Sequence, residues 1–250
     1  MNEDVILIIG AMKDVELNVL LDRLELKNVV EEKSCTFYEG SLQNNNVVIC
    51  HANVGIINAA IATTLGITKY KPKSIWVGGT AGGHSEKVHK GDIVISTGVI
   101  NINSFKTKCL NKGEGSNPFS WELMRFGHLT QDDESIVLSA NDGLISLAKK
   151  VENEFIANNP SNCVHYGIIG SGDAWNKEAD LIRHFSDTYK TLCEEMESAA
   201  IFQVARCYDI PVVAIRIISN NEIHGEVYER ELGEKAQEYI LRMLKNEEEK

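Results

Sequence analysis

Short apolar runs alternate with stretches of helical period along most of the chain. Residues 5–9 form a continuous apolar run that predicts a buried strand. Leu17, Leu20, Leu21 and Leu24 then recur at the i, i+3, i+4, i+7 spacing of one helix face. Residues 47–51 predict a second strand, and 56–69, rich in alanine, isoleucine and threonine, predict a helix that must stop before Pro72. Two more strands are expected at 75–79 and 92–100, a helix at 144–155 and a strand at 164–170. Helical patterns flank residues 188–194, and the last long apolar run covers 211–219. A final helix carries Ala236, Ile240, Met243 and Leu244 on one side and frays into Asn-Glu-Glu-Glu-Lys.

This alternation predicts an α/β fold with a largely parallel or mixed sheet and helices on both faces. No linker divides the 250 residues and no internal repeat is visible, so a single domain is expected. The polar stretch 101–135 holds Pro118 and the only dense aromatic patch, Phe119, Trp121 and Phe126. That patch fits a dimer surface, a lid over a partner's site or a small core under a long loop. In sheets of this class ligands gather at the carboxyl ends of strands, which directs attention to the residues just after each apolar run.

Composition narrows the function class. Thirty-six acidic against 25 basic residues give a net charge of -11, and no Lys/Arg cluster interrupts it, which argues against a nucleic-acid partner. The six cysteines (Cys35, Cys50, Cys109, Cys163, Cys193 and Cys207) include no Cys-x-x-Cys pair, and several lie in apolar runs as reduced core thiols do. Acid stands at the start where a signal peptide needs base, and no run approaches 18 apolar residues. A cytoplasmic, non-membrane protein is expected. The seven histidines, with His84 and His89 in a charged segment, lack metal-ligand spacing, so no metal or cofactor is expected. There is no Gly-x-Ser-x-Gly elbow, no phosphate loop and no Gly-x-Gly-x-x-Gly.

The strand ends carry the candidate chemistry. The first runs into Gly10-Ala11-Met12-Lys13-Asp14-Val15-Glu16, and the run at 75–79 into Gly79-Thr80-Ala81-Gly82-Gly83. The latter reads either as a tight strand-to-helix turn or as a nest of bare backbone N–H groups around a ligand. After residue 170 comes Ser171-Gly172-Asp173-Ala174-Trp175, where the tryptophan is core filler or a stacking platform. Glu194-Glu195-Met196-Glu197 precedes the apolar stretch Ala199-Ala200-Ile201-Phe202. Acids favour a helix N-terminus, whereas a carboxylate turned inward accepts from paired hydroxyls such as those of a ribose. The last strand ends Arg216-Ile217-Ile218-Ser219-Asn220.

In this order, Gly10-Ala11-Met12, Gly79-Thr80-Ala81-Gly82-Gly83 with Gly91-Asp92-Ile93-Val94, Ser171-Gly172-Asp173-Ala174, Glu195-Met196-Glu197 and Arg216-Ile217-Ile218-Ser219 resemble the 5′-methylthioadenosine/S-adenosylhomocysteine nucleosidases of the purine nucleoside phosphorylase superfamily. The likeness spans nearly the whole chain and is poorest over 101–161. It implies a single-domain three-layer α/β/α sandwich with a mixed central sheet. It also implies a homodimer that cuts the N-glycosidic bond of a purine nucleoside with water. Glu197 then accepts the ribose 2′- and 3′-hydroxyls, with Glu195 beside it and Met196 against the sugar. Trp175 takes the place of the aromatic that stacks on the purine, and Thr80, Ala81 and Gly82 border the ribose and the attacking water. Arg216 holds that water and the sugar-side carboxylates, while Val54 and Tyr228 complete the pocket, Tyr228 over an apolar 5′ group. The general base of the family is a glutamate just after the first strand. The spacing here is one residue longer, and Glu16, with Asp14 in reserve, fits if one residue is inserted.

The resemblance breaks at the leaving-group end, where Asn220 stands in place of an aspartate that serves purine N7. Asparagine cannot release a proton at neutral pH. It either donates a hydrogen bond to N7, or marks a 6-oxopurine as in the related futalosine hydrolases, or belongs to a protein that binds without cleaving. Glu222 is one candidate replacement acid. The phosphorylases place an arginine where this chain has Val77, which favours water over phosphate unless Arg183 or Lys87 enters the site.

Overall fold

The computed structural model describes residues 4–124 and 135–247. Its central sheet is built on β1 (Ile6–Gly10), β4 (Asn45–His51), β5 (Ser74–Gly83) and β12 (Val212–Asn220), which lie parallel in the order β4, β1, β5, β12. Each of these strands alternates its side chains between two cores. Leu7, Ile9, Ile75, Val77, Val212 and Ala214 face one, and Ile6, Ile8, Trp76, Val213, Ile215 and Ile217 the other. Burial on both faces is why these strands read as largely apolar runs, broken within β12 by Arg216. Helices α2 (Ile56–Tyr70) and α5 (Ser198–Cys207) cover the first face. Helices α1 (Asn18–Arg23), α3 (Asp142–Asn158) and α6 (Gly233–Glu247) cover the second, giving three layers.

Beyond β12 the order continues antiparallel to β6 (Ile93–Asn101), then parallel to β10 (Val164–Ser171) and β11 (Thr191–Glu195). Strand β11 also pairs antiparallel with the end of β5, Cys193 opposite Gly83 and Glu194 opposite Gly82. The sheet therefore curls until β5, β12, β6, β10 and β11 close a ring, and the carboxyl ends of several strands converge. Helix α4 (Ala179–Tyr189) lies against β11, with Phe185 packed into a small core with Ile100 and Ile102.

Several expectations need correction. The segment Gly79–Gly83 is not a turn: it prolongs β5, pairing with β12 from Gly79 to Gly82 across a register shift between Ile218 and Asn220. Leu24 is buried but lies past the end of α1 in extended backbone, and only Leu17 and Leu20 of the four leucines are fully buried near the helix. Residues Lys13–Leu17, ahead of α1, wind as a π turn, which carries one residue more than an α turn. Two long strands went unread in the sequence, β2 (Glu25–Glu31) and β3 (Thr36–Leu42), which extend the sheet antiparallel beyond β4. Within 101–135 are the short pair β7 (Phe105–Lys106) and β8 (Glu122–Leu123), with Trp121 tilted on Phe105; Phe126 lies outside the described residues. The short β9 (Leu138–Ser139) pairs with β6. No helix among the described residues is long and apolar enough to cross a membrane.

Candidate active site

The converging strand ends open into a cleft of about 380 Å³. Glu16 stands at its floor, 2% exposed, and four donors fix its carboxylate. Oε2 accepts from the backbone N–H of Ala11 (2.8 Å) and Met12 (3.1 Å), and Oε1 from Thr80 N–H (2.9 Å) and the Thr80 hydroxyl (3.3 Å). The π turn sets this aim: it brings Glu16 inward and leaves Asp14 facing solvent. Gly79 is required beside it. A Cβ there would fall on the Arg216 guanidinium and within 2.5 Å of Glu16 Oε1. Bare backbone thus makes room for two charged groups.

Arg216 shares the alternation of Ala214 and Ile218 on β12, so its side chain enters the core on the α2/α5 face and is 1% exposed. Its Nη2 donates to Glu195 Oε2, to Glu197 Oε2 (3.5 Å) and to Ser198 Oγ (3.2 Å), and Nη1 to the Thr80 carbonyl (3.5 Å). Burial works against its charge, but the carboxylates of Glu195, Glu197 and Glu16 outweigh burial and raise its pKa. Glu195, the last residue of β11, also caps α5, accepting from the N–H of Ser198 at 3.0 Å and of Glu197 at 3.1 Å. Its acid therefore serves the helix N-terminus as well as the arginine. Glu197 turns the other way. Its Oε1 accepts from Gly55 N–H (3.0 Å), and Oε2 faces Arg216. Burial, then the neighbouring Glu195 charge, push its carboxyl up to about 8 against the pull of Arg216.

The opposite wall is apolar and open. Trp175 is 57% exposed and meets Tyr228 edge-on, ring centroids 5.5 Å apart. Asp173 fixes the turn before it by accepting from Ile56 N–H (2.8 Å). Asn220 ends β12 with its Oδ1 accepting from the Ser219 hydroxyl (3.0 Å). The structure brings together Glu16, Val54, Thr80, Ala81, Gly82, Trp175, Glu195, Met196, Glu197, Asn220 and Tyr228 as cleft-lining residues, with Arg216 directly behind them. Glu222 stands in a 3₁₀ turn and does not line the cleft. Arg183, which pairs with Glu86 and Asp180 on the surface, and Lys87 are also outside it. Among the described residues no lysine or arginine lines the cleft.

Sequence reasoning missed Ala11, Met12, Ala174, Glu194 and Ser219 as lining residues. It also misplaced His84, which is 1% exposed with Nε2 3.0 Å from Glu194 Oε2. No sequence spacing joins His84 to Glu194; only the β5–β11 pairing does. A separate cluster, Asp92, Cys163 and His165, ties two loops: Asp92 accepts from the N–H of Cys163 (2.7 Å) and His89 (2.9 Å) and pairs with His165 (3.0 Å). Burial opposes ionisation of Asp92, but these hydrogen bonds hold its carboxyl below the usual range.

A curled mixed sheet with a carboxylate-lined cleft beside an exposed tryptophan defines an α/β protein with a cleft of small-molecule size at its strand ends. The chain belongs to the phosphorylase superfamily, whose family model matches residues 5–245. It is 30% identical over 216 residues to a 5′-methylthioadenosine/S-adenosylhomocysteine nucleosidase of Bacillus cereus (strain G9842), covering 86% of this chain and 85% of that one. A nucleosidase of the same description from Colwellia psychrerythraea 34H, solved in complex with adenine, superposes with a TM-score of 0.78 at 25% identity, covering 98% of this chain and 96% of that one. The futalosine hydrolase of Helicobacter pylori strain 26695 shares the fold, with a TM-score of 0.76 at 18% identity and 97% of each chain covered.

Proposed function

We propose that this protein hydrolyses the N-glycosidic bond of a purine nucleoside of the 5′-methylthioadenosine/S-adenosylhomocysteine type or a close relative, releasing the free base. The observation that carries this reading is the cluster of Glu16, Glu195 and Glu197 around the single cation Arg216 at one end of the cleft. Departure of a purine builds positive charge on the sugar, as in other glycoside cleavages. Glu16 and Glu195 offer that charge a preorganised anionic wall beside Arg216, and Glu197, its carboxyl raised to about 8, adds to it as it ionises. Glu197 takes the ribose hydroxyls, and Glu16, fixed by Thr80 and the backbone after β1, takes the proton of the attacking water. Trp175 stacks on the base, and Tyr228, edge-on to it, covers the 5′ side. The lack of a cation in the lining favours water over phosphate as nucleophile. Val54 in the cleft wall and Ile57 and Ile61 on α2, all apolar and exposed, support a homodimer.

The test is chromatographic detection of free base from methylthioadenosine, S-adenosylhomocysteine, adenosine and inosine, each with and without phosphate. Base released without phosphate is the expected result. A strict phosphate requirement would show a phosphorylase, and tight base binding with no turnover a binding protein.

A further inference from the structure

The sugar-side chemistry leaves one charged cluster of the cleft without a role. Glu194 lines the cleft and is 6% exposed. Its Oε1 accepts from Asn176 N–H (2.8 Å) and its Oε2 from Asn176 Nδ2 (2.5 Å), while His84 Nε2 lies 3.0 Å from Oε2 in an ion-pair contact. His84 is fixed in turn, with Nδ1 2.9 Å from Thr191 Oγ1 and its ring stacked on Phe185. Burying a carboxylate and an imidazole in this wall costs solvation that an apolar pair would not. Neither group touches Glu16, Glu197 or Arg216.

Strand register says what the cluster faces. Gly82 pairs with Glu194 on one side and with Asn220 on the other. Both side chains come close to the empty Cβ position of Gly82, Asn220 Nδ2 at 3.4 Å and Glu194 Cγ at 3.8 Å. They therefore flank one patch of bare backbone. That patch lies two residues past Thr80, one pleat repeat or about 7 Å along β5, and Asn176 directly follows the stacking residue Trp175. A nucleoside with its ribose at Glu16 and Glu197 lays its base there, on reach alone.

The hydrogen-bonding chemistry of the pair selects among purines. A carboxylate only accepts, whereas the asparagine amide both donates and accepts. A 6-aminopurine has a bare lone pair at N1, which an acceptor repels even where the exocyclic amine finds the other oxygen. A 6-oxopurine carries a proton on N1 and an acceptor at O6. We propose that Glu194, held by Asn176 and His84, accepts from N1–H while Asn220 donates to the O6/N7 edge, making Glu194 the specificity-determining residue for a 6-oxopurine base. This rests on the reading of the cleft as a purine nucleoside site.

The test uses the full chain and two nucleosides that differ only at C6, 5′-methylthioinosine and 5′-methylthioadenosine, with calorimetric binding of hypoxanthine and adenine alongside. A site built to accept from an N–H discriminates against the base lacking it by on the order of 100-fold, which is the expected ratio in kcat/KM and in Kd. Glu194→Gln, which offers a donor to bare N1, is expected to lower that ratio at least about 10-fold. Tighter binding of adenine by the unaltered protein overturns the proposal with no variant needed. So does an unchanged ratio in a Glu194→Gln protein whose circular dichroism is native. Failure to release base from either nucleoside would sink the hydrolase reading instead, because preference for hypoxanthine over adenine is measured by binding alone.

Discussion

The two ends of the cleft are built on different principles. At the end we propose for the sugar, Glu16, Arg216, Glu195 and Glu197 are all buried, and each carboxylate is held by backbone N–H groups or by the arginine. At the other end Trp175, Tyr228 and Val54 are exposed, and Trp175 meets Tyr228 only by ring edges. A preorganised end fixes where charge is stabilised, and a loosely packed end sets which ligand is taken. Substrate preference is therefore free to change at Trp175 and Tyr228 while the buried network stays intact.

That contrast is broken first at Glu197. Glu197→Gln is expected to cut kcat/KM by about 100-fold or more on every purine nucleoside tested, because the ribose contact is common to all; loss confined to one base would place Glu197 at the wrong end. The same variant carries a stability signature. With its carboxyl raised to about 8 from an ordinary 4.5, the folded protein binds more protons at Glu197 than the unfolded chain does between those values. This group's contribution to stability therefore falls as pH rises through that window. Glu197→Gln removes the fall, so the drop in melting temperature from about pH 5 to about pH 9 narrows in the variant.

Gly79→Ala comes next. The added methyl meets Arg216 and the Glu16 carboxylate, so a loss of about 1–3 kcal/mol in stability is expected by urea denaturation, together with loss of turnover. Unchanged stability would mean the two charged groups are free to part. The smallest effect is at the open end. Trp175→Ala removes a stacking partner and is expected to raise KM about 10-fold with a smaller change in kcat, and an equal fall in kcat would move Trp175 into the chemistry.

Much of this was legible in the chain because double-sided burial writes largely apolar runs, as at Ile6–Gly10 and Val212–Asn220. Strand β2 left no such trace. All but one of its residues are exposed, so no buried face patterned its sequence. Gly79–Gly83 looked like a turn because glycine marks turns, whereas here it leaves space over a strand for Glu16 and Arg216. Asn220 was visible as an oddity of a motif. Its neighbour Glu194 was not, since an acid before a helix already has an ordinary explanation and His84 joins it only through sheet register.

The π turn at Lys13–Leu17 holds one residue more than an α turn beside the buried Glu16 carboxylate, the room that a one-residue insertion ahead of Glu16 would need. One extra residue in an ordinary helix shifts the phase of everything beyond it by about 100°, which would carry Leu17 and Leu20 out of the core or Glu16 out of the cleft. Here both leucines are fully buried and Glu16 still reaches the N–H groups of Ala11 and Thr80. The wider turn works as an expansion joint: it takes up the added length between two fixed points, so the distance from β1 to the carboxylate is set by the frame and not by residue count.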